Sequence, residues 1–253
     1  MKYDNQRVSI VTPAYKAAAF VGQTIESVLA QDYQDWEMHI VDDQSPDDTA
    51  AVVAQHSARD PRVRLLRQER NGGAAMARNA SLQAASGRYI AFLDSDDLWL
   101  PGKLSRQLAF MKETGAAFSF TAFRRISQDG ATVGRLINVP PRLGYSQLLK
   151  NTAIATSTVI VDRNVAGELR MTRTYYDDLV MWLELMKRGV TAHGLDVDLM
   201  RYRVVAQSIS RSKSNSARQV WNTYRNVEKL NPLAAAWYFA HYAGRGWLKY
   251  RRF

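Results

Sequence analysis

The sequence predicts an α/β protein built on a mostly parallel sheet flanked by helices, and three observations carry that prediction. Short β-rich runs alternate with helix-length segments for about 95 residues, the pattern of βαβ units with right-handed crossovers. One run, Tyr89-Ile90-Ala91-Phe92-Leu93, is apolar throughout, as a strand covered on both faces must be. It ends at once in three carboxylates, Asp94, Asp96 and Asp97, and in open α/β sheets ligands sit beyond the carboxyl ends of the strands.

Each element has its own signal. Val8 to Thr12 is a β-rich run stopped by Pro13, and a helix from Phe20 to Ala30 sets Val21, Ile25, Val28 and Leu29 on one side. Glu37 to Val41 makes a second strand ending at Asp42-Asp43. Asp47 or Asp48 caps a helix from Thr49 to Ser57. Arg62 to Leu66 reads as a third strand, Asn71-Gly72-Gly73 as a loop, Ala74 to Ala85 as a helix closed by Ser86-Gly87. Beyond Pro101 come an amphipathic helix from Leu104 to Glu113, a strand from Ala116 to Arg124 and a turn at Asp129-Gly130. Tyr145 to Asn151 reads as helical and the β-branched run Thr156 to Val161 as an inner strand. A helix from Tyr175 to Arg188 carries an apolar face of Leu179, Trp182, Leu183 and Met186, and its basic last turn precedes Gly189. Ala192 to Arg203 holds a last strand, Ser208 to Ser216 is a loop rich in Ser and basic residues, and the tail is helical from Ala217 to Leu230 and again from Leu233. These boundaries divide the chain into a domain over 1–215 and a helical extension over 216–253.

Composition narrows the function classes. With 253 residues the chain can bury a large core. It has no cysteine, which excludes disulfides, thiolate metal sites and a Cys nucleophile. The N-terminus has no apolar signal-peptide core, and the longest apolar stretch, Leu233 to Ala240, is far short of the roughly 20 residues a spanning helix needs. The expectation is a cytoplasmic protein that does not cross a membrane. The net charge is +10, and from residue 201 onward 11 Lys and Arg face one acid, Glu228. The remaining 23 basic and 23 acidic groups leave residues 1–200 neutral. A basic tail of this kind faces an anionic surface, either membrane or nucleic acid.

The chemistry-bearing residues gather at strand ends. Two carboxylates one residue apart, Asp94 and Asp96, can face a hard cation such as Mg²⁺ or Mn²⁺ that also binds diphosphate, or can simply cap the following helix. Thr12, Pro13, Ala14 and Tyr15 end the first strand, where Tyr15 can stack on a base. Asp42 and Asp43 end the second, where a carboxylate can accept the imide N–H of uracil or cap a turn. The glycines after Asn71 let backbone approach a ligand closely, yet neither the P-loop ending nor the Gly-x-Gly-x-x-Gly fingerprint is present. The scattered His39, His56, His193 and His241 have no ligand spacing and read as structural.

Taken together, the ordered motifs resemble family 2 of the nucleotide-sugar glycosyltransferases. They are Val8 to Tyr15, Ile40 to Thr49, Asn71-Gly72-Gly73 with Ala77-Arg78-Asn79, Gly87 to Asp97 with Trp99 and Pro101, and Asp177-Asp178 before Trp182-Leu183. The likeness spans residues 7 to 210. It implies a GT-A fold, a Rossmann-like, mostly parallel central sheet, here with a C-terminal helical tail. It implies an inverting, metal-dependent transferase that moves a sugar from a UDP-sugar to a hydroxyl of a glycan or lipid-linked acceptor. The setting implied is bacterial surface polysaccharide such as O-antigen or capsule.

Position by position, the resemblance assigns Thr12, Pro13, Tyr15, Asp43, Arg78, Asp94 and Ser95 to the nucleotide, Asp96 to Mn²⁺ or Mg²⁺, and Asp178 to the base that takes the acceptor proton. Two departures stand out: Gln44 replaces the usual glycine of Asp-Gly-Ser, and Asp177 the usual glutamate before Asp178. Asp177 and Asp178 also suit a helix N-terminus on dipole grounds alone, and Asp177 tends to raise one pKa of the pair. Arg203, Arg211 and Lys213 are candidates to clamp the diphosphate, or else belong to a solvated basic loop.

The tail aromatics Trp237, Tyr238, Phe239, Tyr242 and Trp247, set among Arg245, Lys249, Arg251 and Arg252, suit a helix lying on anionic lipid at the inner face of the cell membrane. Packing against the domain, or contact in a homodimer, is the other use of such residues. A nucleic-acid-binding protein is the competing class, disfavoured because residues 1–200 are neutral and rich in ordered acids. A sugar nucleotidyltransferase is disfavoured because Thr12-Pro13-Ala14-Tyr15 stands where its glycine-rich basic loop belongs.

Overall fold

A computed structural model describes residue 3 and residues 5–151, 154–205 and 213–250. Most of the expected Ser208 to Ser216 loop, with Arg211 and the side chain of Lys213, lies outside the described residues.

The first half follows the βα alternation. Strands β1 (Val8–Ala14), β2 (Trp36–Asp42), β3 (Val63–Arg67) and β4 (Tyr89–Phe92) are connected through helices α1 (Val21–Leu29), α2 (Thr49–Arg59) and α3 (Ala74–Ala84). They lie parallel in the order β3-β2-β1-β4, with Val8 opposite both Trp36 and Tyr89. Every residue of β2 and β4 is buried, because apolar layers cover both faces of the sheet. On one face Ile10 of β1, Met38 and Ile40 of β2 pack with Val21, Ile25 and Val28 of α1. On the other, Val11, Ile90 and Phe92 join the larger cluster around Trp182. Gly87 lets the α3–β4 connection pass under β1: a Cβ there would lie 2.5 Å from the Arg7 carbonyl oxygen.

The second half is mixed rather than parallel. It runs β5 (Leu98–Trp99), α4 (Lys103–Thr114), β6 (Phe118–Ile126), β7 (Val133–Ile137), β8 (Arg142–Leu143), α5 (Tyr145–Lys150), β9 (Ile160–Asp162), α6 (Arg163–Ala166), α7 (Asp177–Lys187) and β10 (Ala192–Arg203). Among the described residues these complete a ten-stranded sheet ordered β3-β2-β1-β4-β9-β6-β10-β5, with β7 on β6 and β8 on β10. β6 and β10 are parallel, while β9 runs antiparallel to both β4 and β6. The turn at Asp129-Gly130 reverses β6 into β7, Gly130 taking φ +77°.

The β-branched run from Thr156 splits. Thr156–Thr158 is a 3-10 turn and the strand begins at Ile160. All three hydroxyls donate elsewhere, Thr156 to Asp178, Ser157 to Asp97 and Thr158 to the Ala155 carbonyl. Such bonds compete with a strand ladder.

The tail forms α8 (Lys213–Asn222), a π-turn at Thr223–Val227 and α9 (Pro232–Tyr250). Val220, Tyr224 and Ala235 are fully buried in the same cluster as β4 and β6, so the expected extension shares the core of the domain. No described helix is long and apolar enough to cross a membrane.

Trp182 anchors the larger cluster, edge-on to Phe92 at 5.2 Å between ring centroids and tilted against Phe118 at 5.0 Å. Trp182→Ala is therefore expected to lower the unfolding free energy by roughly 3–5 kcal/mol, with Trp182→Phe losing much less. Denaturant unfolding of the two variants checks this.

Candidate active site

The site is built where β1, β2 and β4 end. Pro13 sits inside β1 without disturbing the ladder, because β4 pairs only with Val8 to Val11 and has ended before it. Thr12 is buried with an unpartnered hydroxyl, and beyond the strand Tyr15 is half exposed. At the end of β2, Asp43 accepts the backbone N–H groups of Gly72 and Gly73, each at 2.7 Å, and the Asn71 amide donates to its carbonyl at 3.0 Å. The acid expected at the uracil thus also organises the glycine loop that starts α3, where Gly73 has φ +84°. Gln44, in place of the family's glycine, takes φ +58°. The turn therefore keeps the left-handed shape, at roughly 1–2 kcal/mol for an L residue. The Gln44 amide steadies it by donating to the Glu69 carbonyl.

From α3, Arg78 reaches two acids at once. One guanidinium nitrogen donates to Asp94 at 2.6 Å and another to Asp177 at 3.2 Å. Burial opposes its charge, but Asp94, Asp177 and Asp178 together raise its pKa. Its neighbour Asn79 clips the segment before α7, exchanging hydrogen bonds of 2.8 Å with the Met171 backbone in both directions. Asp177 and Asp178 open α7, Asp177 accepting the Asp178 N–H and Asp178 that of Leu179. Asp178 also accepts the Thr156 hydroxyl at 2.6 Å. Burial first, and then the charge of Asp178, lift the Asp177 carboxyl to about 6 against the pull of Arg78.

The turn after β4 is tied on several sides. The Thr24 hydroxyl of α1 lies 2.9 Å from the carbonyls of both Ser95 and Asp97. The Ser157 hydroxyl accepts the Asp94 N–H and donates to Asp97 at 2.5 Å. Asp97 is buried, accepts the Arg203 N–H as well, and is pushed well up by burial and by Asp96 and Asp94. Asp96 rises to about 6, chiefly through burial and then the charge of Asp94.

Arg203 has a different occupation from the expected diphosphate clamp. It is buried and its guanidinium donates to the Asp96 carbonyl, the Gln128 carbonyl and the Gln23 side chain at 2.7–2.8 Å. These neutral oxygens make it a strut between the Asp96 turn, α1 and the β6–β7 hairpin. Thr24, Thr156 and Ser157 were not among the expected site residues. Their only signal was small hydroxyl side chains, Thr24 inside an expected helix and Thr156 and Ser157 inside a run that reads as strand.

The donor set suits a hard divalent cation: Asp94 and Asp96 offer oxygen, and the charge of Asp94, which adds to burial in lifting Asp96, is what a cation offsets. Among the described residues no three His, Cys, Asp or Glu side chains form a cage. An ion held by one or two carboxylates and substrate phosphates does not require one.

Three comparisons bear on this geometry. The family model described as Glycosyl transferase family 2 matches residues 9–176, stopping just before Asp177. The putative teichuronic acid biosynthesis glycosyltransferase TuaG of Bacillus subtilis is 44% identical over 238 residues, 93% of this chain and 94% of that protein. The UDP-Glc:α-D-GlcNAc-diphosphoundecaprenol β-1,3-glucosyltransferase WfgD of Escherichia coli is 35% identical over 240 residues, 94% of this chain and 93% of that one. Among solved structures, the mannosyltransferase PcManGT of Pyrobaculum calidifontis, in complex with GDP-Man and Mn²⁺, superposes with a TM-score of 0.71 at 16% identity over 96% of this chain and 75% of that one. That likeness shows the expected GT-A fold.

The titration of Asp177 has a readable consequence. Its folded pKa of about 6 lies above its ordinary 3.8, so the folded state holds this proton more tightly. The stability it contributes is full below about pH 4 and is lost as pH rises through about 6. Asp177→Asn should flatten the fall in melting temperature across that window. Melting profiles parallel to the wild type from pH 4 to 7 would contradict the assignment.

Proposed function

The chain belongs to glycosyl transferase family 2 and is a glycosyltransferase; from that premise we propose that it inverts the anomeric centre of a UDP-sugar, transferring the sugar to a hydroxyl of a lipid-linked saccharide in bacterial surface-polysaccharide assembly. The observation that carries the reading is the double ion pair of Arg78 with Asp94 and Asp177. It brings the acids of a strand end and those of a helix start together on one side chain.

The roles follow from chemistry. Thr12, Pro13 and Tyr15 border the base, Asp43 and the glycine loop face the uridine, and Asp94 with Ser95 lies toward the ribose and diphosphate. A hydroxyl is a poor nucleophile, so a carboxylate must take its proton as it attacks. Asp178, steadied by Thr156, is assigned that part, and Asp177 with Arg78 fixes its backbone. A single displacement by the activated hydroxyl inverts the anomeric centre. Mn²⁺ or Mg²⁺ on Asp96, with Asp94 beside it, would offset the charge that gathers on the departing β-phosphate. The residues bordering the diphosphate bear on its affinity: Arg203 holds the Asp96 turn in place, while Arg211 and Lys213 remain candidates for direct contact.

The named donor and acceptor of WfgD, UDP-Glc and a GlcNAc-diphosphoundecaprenol, support UDP and a lipid-linked acceptor here. PcManGT holds a guanosine donor on the same fold, so the fold does not choose the base. A lipid-bound acceptor would keep the enzyme at the inner face of the membrane, held peripherally.

A panel of UDP-sugars with Mn²⁺ or Mg²⁺, read by sugar hydrolysis, tests the proposal. Asp96→Ala should abolish metal-dependent donor binding. Asp178→Asn should keep UDP affinity within about threefold while turnover drops at least a hundredfold. Turnover at the wild-type level in Asp178→Asn would remove that residue from the base role.

A further inference from the structure

Helix α9 is built contrary to the rule for a surface helix. Such helices turn an apolar stripe inward and charges outward. From Pro232 to Gly244 this one has no charged residue other than a histidine. Its inward face is accounted for: Ala235 is fully buried, and Tyr238, Phe239 and Tyr242 pack on the core, Phe239 edge-on to Trp221 at 5.5 Å. Its outward face is Leu233, Ala236, Trp237, Ala240, Ala243 and Gly244, all exposed. Leu233 is 85% exposed and Trp237 60%. At 100° per residue these six positions form one contiguous strip, broadened at its edge by the partly exposed Trp221.

We propose that this outward strip of α9 seats the protein on an anionic lipid bilayer, with Leu233 and Trp237 entering the headgroup–acyl boundary. The proposal rests on the membrane reading above and names the surface through which it acts. Charge complementarity selects the partner: leaving aside Arg201 and Arg203, which are held inside the domain, the chain from residue 211 onward carries nine basic groups against one acid, a balance that favours anionic headgroups. A second copy would set two such segments against each other. A nucleic acid binds chiefly through its phosphates and would leave the exposed Leu233 and Trp237 without an apolar partner. Small residues between the two large ones let the helix axis lie close to the headgroups, the arrangement of interfacial helices.

The test uses the full chain and vesicles of phosphatidylcholine, alone or with phosphatidylglycerol. Wild type should sediment with the anionic vesicles and lose binding as salt rises, and brominated lipid should quench its tryptophan fluorescence. Leu233→Ser/Trp237→Ser, both positions solvent-facing, should keep the melting temperature and the UDP-sugar hydrolysis rate in vesicle-free buffer. Its vesicle affinity should fall at least tenfold, with the lipid quenching reduced. Vesicle binding by the double variant at the wild-type level overturns the proposal, as does wild type that ignores anionic vesicles. So does a wild-type dimer that the double variant converts to monomer, which would give the strip to a second copy. Failure of hydrolysis in wild type would instead count against the donor reading, leaving the vesicle result to stand by itself.

Discussion

The structure depends on one buried cation. Arg78 is almost withdrawn from water, and a buried guanidinium is tolerable only when it is paired. Its partners come from two elements remote in sequence, Asp94 after β4 and Asp177 at the head of α7. Everything that aims Arg78 therefore also sets Asp94 and Asp177 against each other. Asp43 sets the start of α3 through the Gly72 and Gly73 amides, and Asn79 binds the Met171 backbone on the approach to α7. One helix thus joins the β2 end, the β4 end and the head of α7.

Around that cation the charge is deliberately unequal. Asp94, Asp96, Asp97, Asp177 and Asp178 gather near Arg78 and the buried Arg203, and the carboxyls of Asp96, Asp97 and Asp177 are all lifted by burial. Asp97 and Arg203 divide the labour of holding the turn: Asp97 fixes Ser157 and the β10 backbone, Arg203 the carbonyl of Asp96. Asp94 and Asp96 are less buried than Asp97 and keep carboxylate oxygens of the kind a hard cation takes. Carboxylates perturbed by burial and by specific charge partners mark a candidate functional site.

The tail is part of this machine and not an appendage. Tyr224 is buried in the cluster that holds Trp182, and the Tyr145 hydroxyl meets Glu228, the tail's single acid, at 2.6 Å. Because the inward aromatics of α9 are engaged in packing, the strip facing solvent is fixed relative to the domain. A membrane contact through it would hold the whole catalytic body in a set orientation.

The local pattern by itself determined the βα alternation, the buried strand ending in acids, the order of the motifs and the place of α7, because apolar periodicity and strand-end chemistry are written in neighbouring residues. Three things were decided only by tertiary structure. The Thr156 run broke because its hydroxyls found partners on α7 and beside Asp97. Arg203 became a strut because neutral oxygens of α1, the Asp96 turn and a hairpin closed around it. The second half of the sheet turned mixed because β9 docked between β4 and β6. Each outcome rests on contacts between residues tens of positions apart, which no local pattern of hydrophobicity or charge encodes.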